Sequence, residues 1–415
     1  MVTKCAHRIG TVRRCASISR IQLSVIIPAA SDDVALLPQV TEILTALDIT
    51  HEIIVRTESG YGEALRAGFA ASRGEFILTI DADATDPRAC IERLWQSRSD
   101  GEVVIASRYV AGGRARAPFL RRALGGVLNT ALRLGLDVPI RDLTSGYRLY
   151  KRNVFEPSRT ATADFDILLQ IVVTAYAEGW RVAEVPFEYE PRAGGSSHAR
   201  AWRVGRACLR AFPRLWLLRN SILAADYDAR AHDSRIPLQR YWQRQRHRHV
   251  TELIAGQGTV LDVGCGSSRI IGALPRGSVA MDVLLRKLRY ARRFNRALVH
   301  ASGFQLPFAD AAFPCVLCSQ VIEHVPKSSP ILDELCRVLA PGGRLVLGTP
   351  DYARWEWVWI EKAYGMVPGG YADEHIAHYT RDELVRLFEA RGFACEGYRY
   401  ILRGELILAF RKPRT

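Results

Sequence analysis

From Ile21 to about Gly195, short apolar runs alternate with stretches of helical period. LSVIIPA, HEIIV, EFILTI and EVVIAS read as buried strands, while LPQVTEILTAL, GEALRAGFAAS and CIERLWQS space their apolar residues as helices do. This alternation predicts a mostly parallel sheet with helices packed on it. Near Thr259 the pattern restarts with TVLDVG, SVAMDV, RALVHAS, CVLCS and GRLVLGT, again with helical segments between. The expected fold class is therefore α/β, two domains in tandem without an internal repeat. That number suits 415 residues, because a single core stops growing near roughly 250 to 300 residues.

Three stretches interrupt the alternation. Residues 1–20 are basic, contain no acid and lack the apolar centre of a signal peptide, so a disordered extension is expected. Residues 199–222 hold ARAWRVGRACLRAFPRLWLLRN. On a helical wheel Arg200, Arg203, Arg206, Arg210 and Arg214 fall within roughly a third of the circle, opposite Trp202, Leu209, Phe212 and Trp216. Such a basic amphipathic segment suits an anionic bilayer surface, with Pro213 dividing it into two short helices; a helix covering the sheet with a solvated Arg face fits the pattern equally well. Residues 223–250 keep no apolar period and read as a linker, partly helical towards Tyr241 and Trp242. The two domains are thus expected at 21–198 and 251–415.

Charge narrows the partners. The chain carries 57 Lys and Arg against 43 acids, a formal +14, which suits a phosphorylated substrate, an acidic membrane or nucleic acid. The basic residues follow the motifs described below and no RNA-binding module is recognisable, so nucleic acid is not expected. Nine cysteines form no disulfide framework, which favours a reducing compartment. Cys315 and Cys318 lie in a strand-like run with no second pair at zinc spacing. No run approaches the ~18 apolar residues of a membrane span. A cytoplasmic protein, peripheral at the inner face of the membrane, is the expectation.

FILTIDADATDP ends a strand in Asp81 and Asp83. Alternate side chains of an extended chain share a face, so both carboxylates can reach the cleft at the strand's C-terminal end and hold Mg²⁺ or Mn²⁺ against a diphosphate. Together with SVIIPA, GYGEALRAGFAASRGEFILTIDAD, ASRYVAGG, RDLTSGYRLYKR and EVPFEYEPRAGGSS, this stretch resembles family 2 glycosyltransferases of GT-A fold, of the dolichol- or polyprenyl-phosphate sugar transferase type. The likeness runs from about Leu23 to His198. It implies a nucleotide-sugar donor and a polyprenyl-phosphate or glycolipid acceptor, whose anionic phosphate attacks without a strong general base. Arg108, Arg148 and Arg192 sit in the matching motifs and would hold that phosphate, with Ser145 donating a hydrogen bond. Asp142 would orient Arg148 or contact the donor sugar, and Pro28 and Ser196 would complete the donor and acceptor site. The likeness is shortened in one place. Relatives follow the second strand with an acidic turn, a helix and an edge strand, whereas here Val55 leads through Arg56-Thr57-Glu58-Ser59 directly to Gly60. An αβ excursion is missing, Glu58 is the acid left to meet the nucleotide, and Ser197 stands where lysine is usual.

In VLDVGCGSSR, Gly264 and Gly266 open a turn that a ligand can approach, and Asp262 is expected to anchor it. Asp282, ending the next strand, can accept both hydroxyls of a ribose. A bare G-x-G with a later acid also suits a dinucleotide, but the third glycine of that fingerprint is absent. With FQLPFADAAF, CVLCSQVIEHV, LDELCRVLAPGGRLVLGTP and HIAHYTRDELVRLFEARGF, the region 240–412 resembles class I S-adenosylmethionine-dependent methyltransferases. This implies a Rossmann-like fold, S-adenosylmethionine (SAM) as cofactor and Ser302 at the adenine-contact position. Glu323 and His324 are the candidate catalytic groups; His375 and His378 sit in a later insertion. Gln320 stands where similar small-molecule O-methyltransferases carry Glu, which argues against metal assistance. The insertion's Trp355, Trp357 and Trp359 would line an acceptor pocket, rest on lipid or pack as a lid. The combined expectation is a bifunctional enzyme that transfers a sugar to a polyprenyl phosphate and O-methylates a glycan or lipid-linked product. The alternative is a methyltransferase carrying a catalytically degenerate docking domain.

Overall fold

The computed structural model describes residues 21–28, 36–56, 60–81, 87–154, 166–190, 197–365 and 375–414, those at 197–202 and 363–365 by backbone alone. Asp83, Glu58, Arg192 and Ser196 lie outside the described residues, as does the 1–20 extension. The first sheet contains β1 (Leu23–Pro28), β2 (His51–Arg56), β3 (Phe76–Thr79), β4 (Val103–Ser107), and, after the short β5 (Arg114–Ala115), β6 (Arg148–Lys151) and β7 (Val182–Pro186). Their order is β2-β1-β3-β6-β4-β7, parallel except that β6 runs antiparallel to β3 and β4. β8 (Glu188–Tyr189) pairs with β5 beside it.

Strand alternation divides the core of this sheet. Ile26, Val103 and Ile105 face α2 (Tyr61–Ala71), α4 (Phe119–Gly135), α5 (Ile167–Ala177) and α6 (Ser197–Asn220). Val25, Ile27, Val104 and Ala106 face α1 (Leu37–Ala46) and α3 (Arg88–Gln96). Placing successive side chains on opposite faces is what a doubly covered sheet requires. Among the described residues β2 ends the sheet and is only half-buried, with Val55 37% exposed. This is the edge left bare by the short connection to α2.

Two expectations fail here for physical reasons. Helix α6 is continuous, with Pro213 inside it. It turns Ala207, Cys208, Ala211 and Leu215 into the core, while Leu209 is 64% exposed. The helix lies against α4 and α5 through small residues, so the bulky ones that dominate its apolar pattern do not all face inward. Arg203, Arg206, Arg210 and Arg214 are exposed. The stretch read as a linker is also ordered, as α7 (Tyr227–His232) and α8 (Pro237–Ile254).

α8 belongs to the second unit. Its Trp242, Val250 and Ile254 are buried, the Trp242 indole donates to Glu405, and Arg246 donates to both Glu405 carboxylate oxygens at 2.6 Å. That unit is built on β9 (Val260–Val263), β10 (Val279–Asp282), β11 (Ala297–His300), β12 (Phe313–Ser319), β13 (Leu339–Pro350), β14 (Ala394–Ile401) and β15 (Glu405–Arg411), in the order β11-β10-β9-β12-β13-β15-β14. The first five run parallel; β15 is antiparallel to both neighbours. Helices α9 (Ile270–Ala273), α10 (Leu285–Ala291), α11 (Ile331–Val338), α12 (Trp355–Gly365) and α13 (Arg381–Glu389) complete it. Cys315 and Cys318 of β12 join separate cores on the two faces of the sheet, a packing role. No helix among the described residues is long and apolar enough to cross a membrane.

Candidate active sites

At the C-terminal ends of the first sheet, Asp142 and Arg108 meet. Asp142 is fully buried. It accepts from Arg108 Nε at 2.8 Å, from Arg108 Nη2 at 2.7 Å and from the Arg108 backbone N–H at 3.0 Å. Burial alone would raise the Asp142 pKa, but the Arg108 charge and these bonds outweigh it and hold the carboxyl below its usual value. Arg108 Nη2 also donates to Thr144 Oγ1 at 2.8 Å, and Asn129 of α4 donates to that same oxygen at 3.0 Å. Glu184 of β7 accepts from the Asp142 N–H at 2.9 Å. Thr144, Asn129 and Glu184 are not singled out by the sequence, although Thr144 lies in RDLTSGYRLYKR and Glu184 opens EVPFEYEPRAGGSS.

Arg148 departs from expectation. It is fully buried, and its guanidinium donates to the carbonyls of Leu143, at 2.7 Å, and Leu168. It therefore braces the loop that carries Asp142 and does not face a phosphate, and Asp142 orients Arg108 instead of Arg148. Ser145, also buried, accepts from the Tyr147 N–H at 3.4 Å. Asp81 lies just beyond β3 and accepts from Tyr61 Oη at 2.7 Å. A Cβ on Gly146 would sit 2.2 Å from both Asp81 carboxylate oxygens, so only glycine leaves room for that carboxylate. Pro28 closes β1 at the same end of the sheet.

In the second unit a cavity of about 770 Å³ opens at the ends of β9, β10 and β12. Gly264 and Gly266 line it with φ of +74° and +56°, the left-handed region that glycine occupies without strain. A Cβ at Gly264 would meet Val321 Cγ2 at 2.2 Å. Asp282, not Asp262, ties the turn: its Oδ2 accepts from the Gly266 N–H at 2.8 Å and its Oδ1 from the Leu284 N–H at 2.7 Å. Burial, reinforced by the Asp282 charge, pushes the Asp262 carboxyl up to about 8. Ser302 lines the cavity beside Phe304. Ser319 Oγ and Gln320 Nε2, both of cavity-lining residues, are buried without a hydrogen-bond partner among the described residues.

Helices outside the expected domain limit complete this cavity. Asp228 of α7 accepts from the Ser267 N–H and from Lys287 Nζ, both at 2.9 Å, and Trp242 and Arg246 of α8 line the wall. Beyond β12, Glu323 is fully buried. Burial pushes its carboxyl up to about 8. His324 and His375 also line the cavity, with ring centroids 4.9 Å apart. His375 Nδ1 lies 2.7 Å from Tyr352 Oη and 3.1 Å from Glu361 Oε1, and His378 stacks on Tyr352 at 4.0 Å. The alternating tryptophans split because they lie on a helix: Trp357 is buried against Trp242 and His375, while Trp355 and Trp359 are 68% and 64% exposed.

Both sheets thus gather acids and cations at the C-terminal ends of parallel strands, where α/β enzymes bind their ligands, and the second adds imidazoles. Residues 37–158 match glycosyl transferase family 2, and residues 261–347 match a methyltransferase domain. The first sheet thus lies largely in a stretch similar to family 2 glycosyltransferases, and the second largely in one similar to methyltransferases. Polyprenol monophosphomannose synthase of Mycolicibacterium smegmatis is 34% identical over 158 residues, 36% of this chain and 60% of that protein. An uncharacterized methyltransferase of Mycobacterium sp. is 35% identical over 134 residues, 31% of this chain and 50% of that protein. The chain therefore spans between half and three fifths of these relatives. Among solved structures, an S-adenosylmethionine-dependent methyltransferase from Mesorhizobium loti matches with a TM-score of 0.32 at 16% identity, over 42% of this chain and 100% of that one.

Proposed function

We propose that the first domain transfers a sugar from a nucleotide donor to an anionic lipid acceptor, a polyprenyl phosphate or related glycolipid, and that the second uses SAM to methylate a hydroxyl of the glycan or lipid-linked product. The observation that carries the first half is the Arg108–Asp142 pair. A buried carboxylate engages Nε and Nη2 of a guanidinium whose side chain keeps 19% exposure, which leaves Nη1 for a phosphate oxygen. The acceptor phosphate would attack C1 of the sugar while the bond from C1 to the nucleoside diphosphate breaks. The Gly146 cradle under Asp81 is compatible with a cation shared by Asp81 and Asp83; Mg²⁺ or Mn²⁺ there would neutralise the departing diphosphate. Arg192, Ser145, Ser196, Pro28 and Glu58 belong to the proposed donor and acceptor site.

The second half rests on the cavity. Its unpartnered Ser319 and Gln320 atoms and its glycine turn suit a polar nucleoside ligand. Asp282 keeps a second lone pair on each oxygen for ribose hydroxyls, with Ser302 towards the adenine. Glu323 and His324 are the groups that activate the acceptor hydroxyl. Peripheral membrane attachment is part of the same reading. On α4, Phe119, Leu120, Leu124 and Val127 are each more than half exposed and share one side of the helix with Leu134, flanked by Arg121, Arg122 and Arg133, an arrangement suited to an anionic bilayer. α4 also carries Asn129, which reaches Thr144 in the Arg108 cluster.

The docking-domain alternative draws on one observation, the bare β2 edge where donor-binding structure is expected. Incubating the purified chain with Mn²⁺, a short polyprenyl phosphate and a panel of labelled nucleotide sugars decides between them. Labelled lipid that disappears in R108A supports transfer; no transfer across the panel, with SAM still bound, selects the docking role.

A further inference from the structure

Glu323, His324 and His375 each bring one potential ligand atom within 4.8 Å of the others. We propose that these three side chains form a mononuclear site for a divalent first-row transition metal, opening into the cofactor cavity. One carboxylate and two imidazoles are a donor set that such ions accept while keeping positions for other ligands. The proposal rests on the reading of this cavity as a SAM and acceptor site, and gives Glu323 and His324 their role there.

Three independent features support it. Glu323 is fully buried, and its Oε1 has no hydrogen-bond partner among the described residues, whereas Oε2 accepts from Thr349 Oγ1 at 3.3 Å. A buried carboxylate oxygen left unpaired is costly, and a cation removes that cost. His375 is held as metal-bound imidazoles are: Nδ1 meets the Glu361 carboxylate and Tyr352 hydroxyl, which leaves Nε2 to coordinate and fixes the ring. The backbone of the insertion is pinned at the same place, because the N–H groups of Ile376 and Ala377 both donate to the Glu323 carbonyl, at 2.8 and 3.0 Å. His375 thereby supplies the third ligand that the glutamine at position 320 withholds.

A metal here would bind the acceptor hydroxyl and release its proton to solvent. The oxygen then attacks the sulfonium methyl, the new C–O bond forming as the C–S bond breaks, and S-adenosylhomocysteine leaves. The site thus selects an oxygen acceptor with room for an ion beside it, such as a sugar hydroxyl.

The test uses the full chain carrying D83A, so that the first domain's carboxylates add no second ion, stripped with a chelator and titrated with Zn²⁺ and with Co²⁺ as a spectroscopic probe. One ion per chain is expected, with a Co²⁺ visible spectrum that changes when SAM is added. E323Q and H375Q should weaken binding more than about 10-fold, and Y352F, which keeps every ligand, by about 10-fold. Calorimetric SAM binding on the same samples separates the two readings. Failure of the D83A chain to bind SAM overturns the reading of the cavity. SAM binding without any ion, or an ion whose affinity ignores H375Q and Y352F, overturns the metal centre. If H375Q loses SAM as well as metal, Y352F decides.

Discussion

Replacing Asp142 by alanine removes the partner that holds Arg108 through Nε, Nη2 and the backbone N–H. Arg108 is largely buried, so its guanidinium would be left without a counter-charge in a poor solvent. Breaking a buried pair from one side costs about 3–5 kcal/mol. In a domain of roughly 200 residues each kcal/mol moves the midpoint by about 2–4 °C, so the first domain's transition should fall by roughly 6–20 °C. Calorimetry of the full chain resolves this, because added SAM raises only the transition of the domain that binds it. The double variant R108M/D142L, which removes both charges and fills the space, should recover at least half of the loss. A D142A shift under about 2 °C, or a double variant no better than D142A, would show that the pair does not hold this corner of the fold.

Three further outcomes follow from the same geometry. Asp262 keeps its proton to about pH 8 in the fold against an ordinary 3.8. Its contribution is present in full below about pH 4 and is lost as pH rises towards 8, at up to roughly 1.4 kcal/mol per pH unit. Cofactor-free D262N should therefore gain in Tm over the parent as pH rises from 5 to 8, and a constant difference would contradict the assignment. G264A places a methyl group 2.2 Å from Val321 Cγ2 in the left-handed region. SAM affinity should fall by about 5- to 150-fold by calorimetry, if the strain of about 1–3 kcal/mol falls on the turn proposed to meet the cofactor. A truncated chain beginning at 251 lacks Asp228, Trp242 and Arg246 and leaves Glu405 buried without its partners. It should bind SAM far more weakly than one beginning at 223, and equal binding would restore the linker reading.

What the sequence made legible follows from how each feature is encoded. Both sheets were readable because buried strands such as Ser24–Ile27 and Cys315–Cys318 are short apolar runs bounded by turns. The glycine turn was readable because a positive φ selects glycine. The role of α8 was hidden because it buries only Trp242, Val250 and Ile254 and makes its strongest attachment through a charged pair, Arg246–Glu405, that spans the whole domain. α6 is harder to read because alanine and cysteine share its core face with Leu215, while Phe212 and Trp216 are only partly buried against it and Leu209 faces outward. A motif also cannot distinguish an arginine left partly exposed at a cleft from one buried to brace a loop. Arg108 and Arg148 look alike in sequence, and only burial separates them. His375 was visible as a residue, but its neighbours Glu323 and Tyr352 come from other segments.

The central claim is that one chain carries two separate transfer activities. The most direct measurement follows both labels on one preparation: sugar from a nucleotide donor into a polyprenyl phosphate, and methyl from SAM into the product, in the parent, R108A and D282A. The account predicts that R108A abolishes sugar transfer while leaving SAM binding intact, and that D282A abolishes methylation while leaving sugar transfer intact. Loss of neither activity in its own variant, or SAM binding with no sugar transfer from any donor, would contradict it.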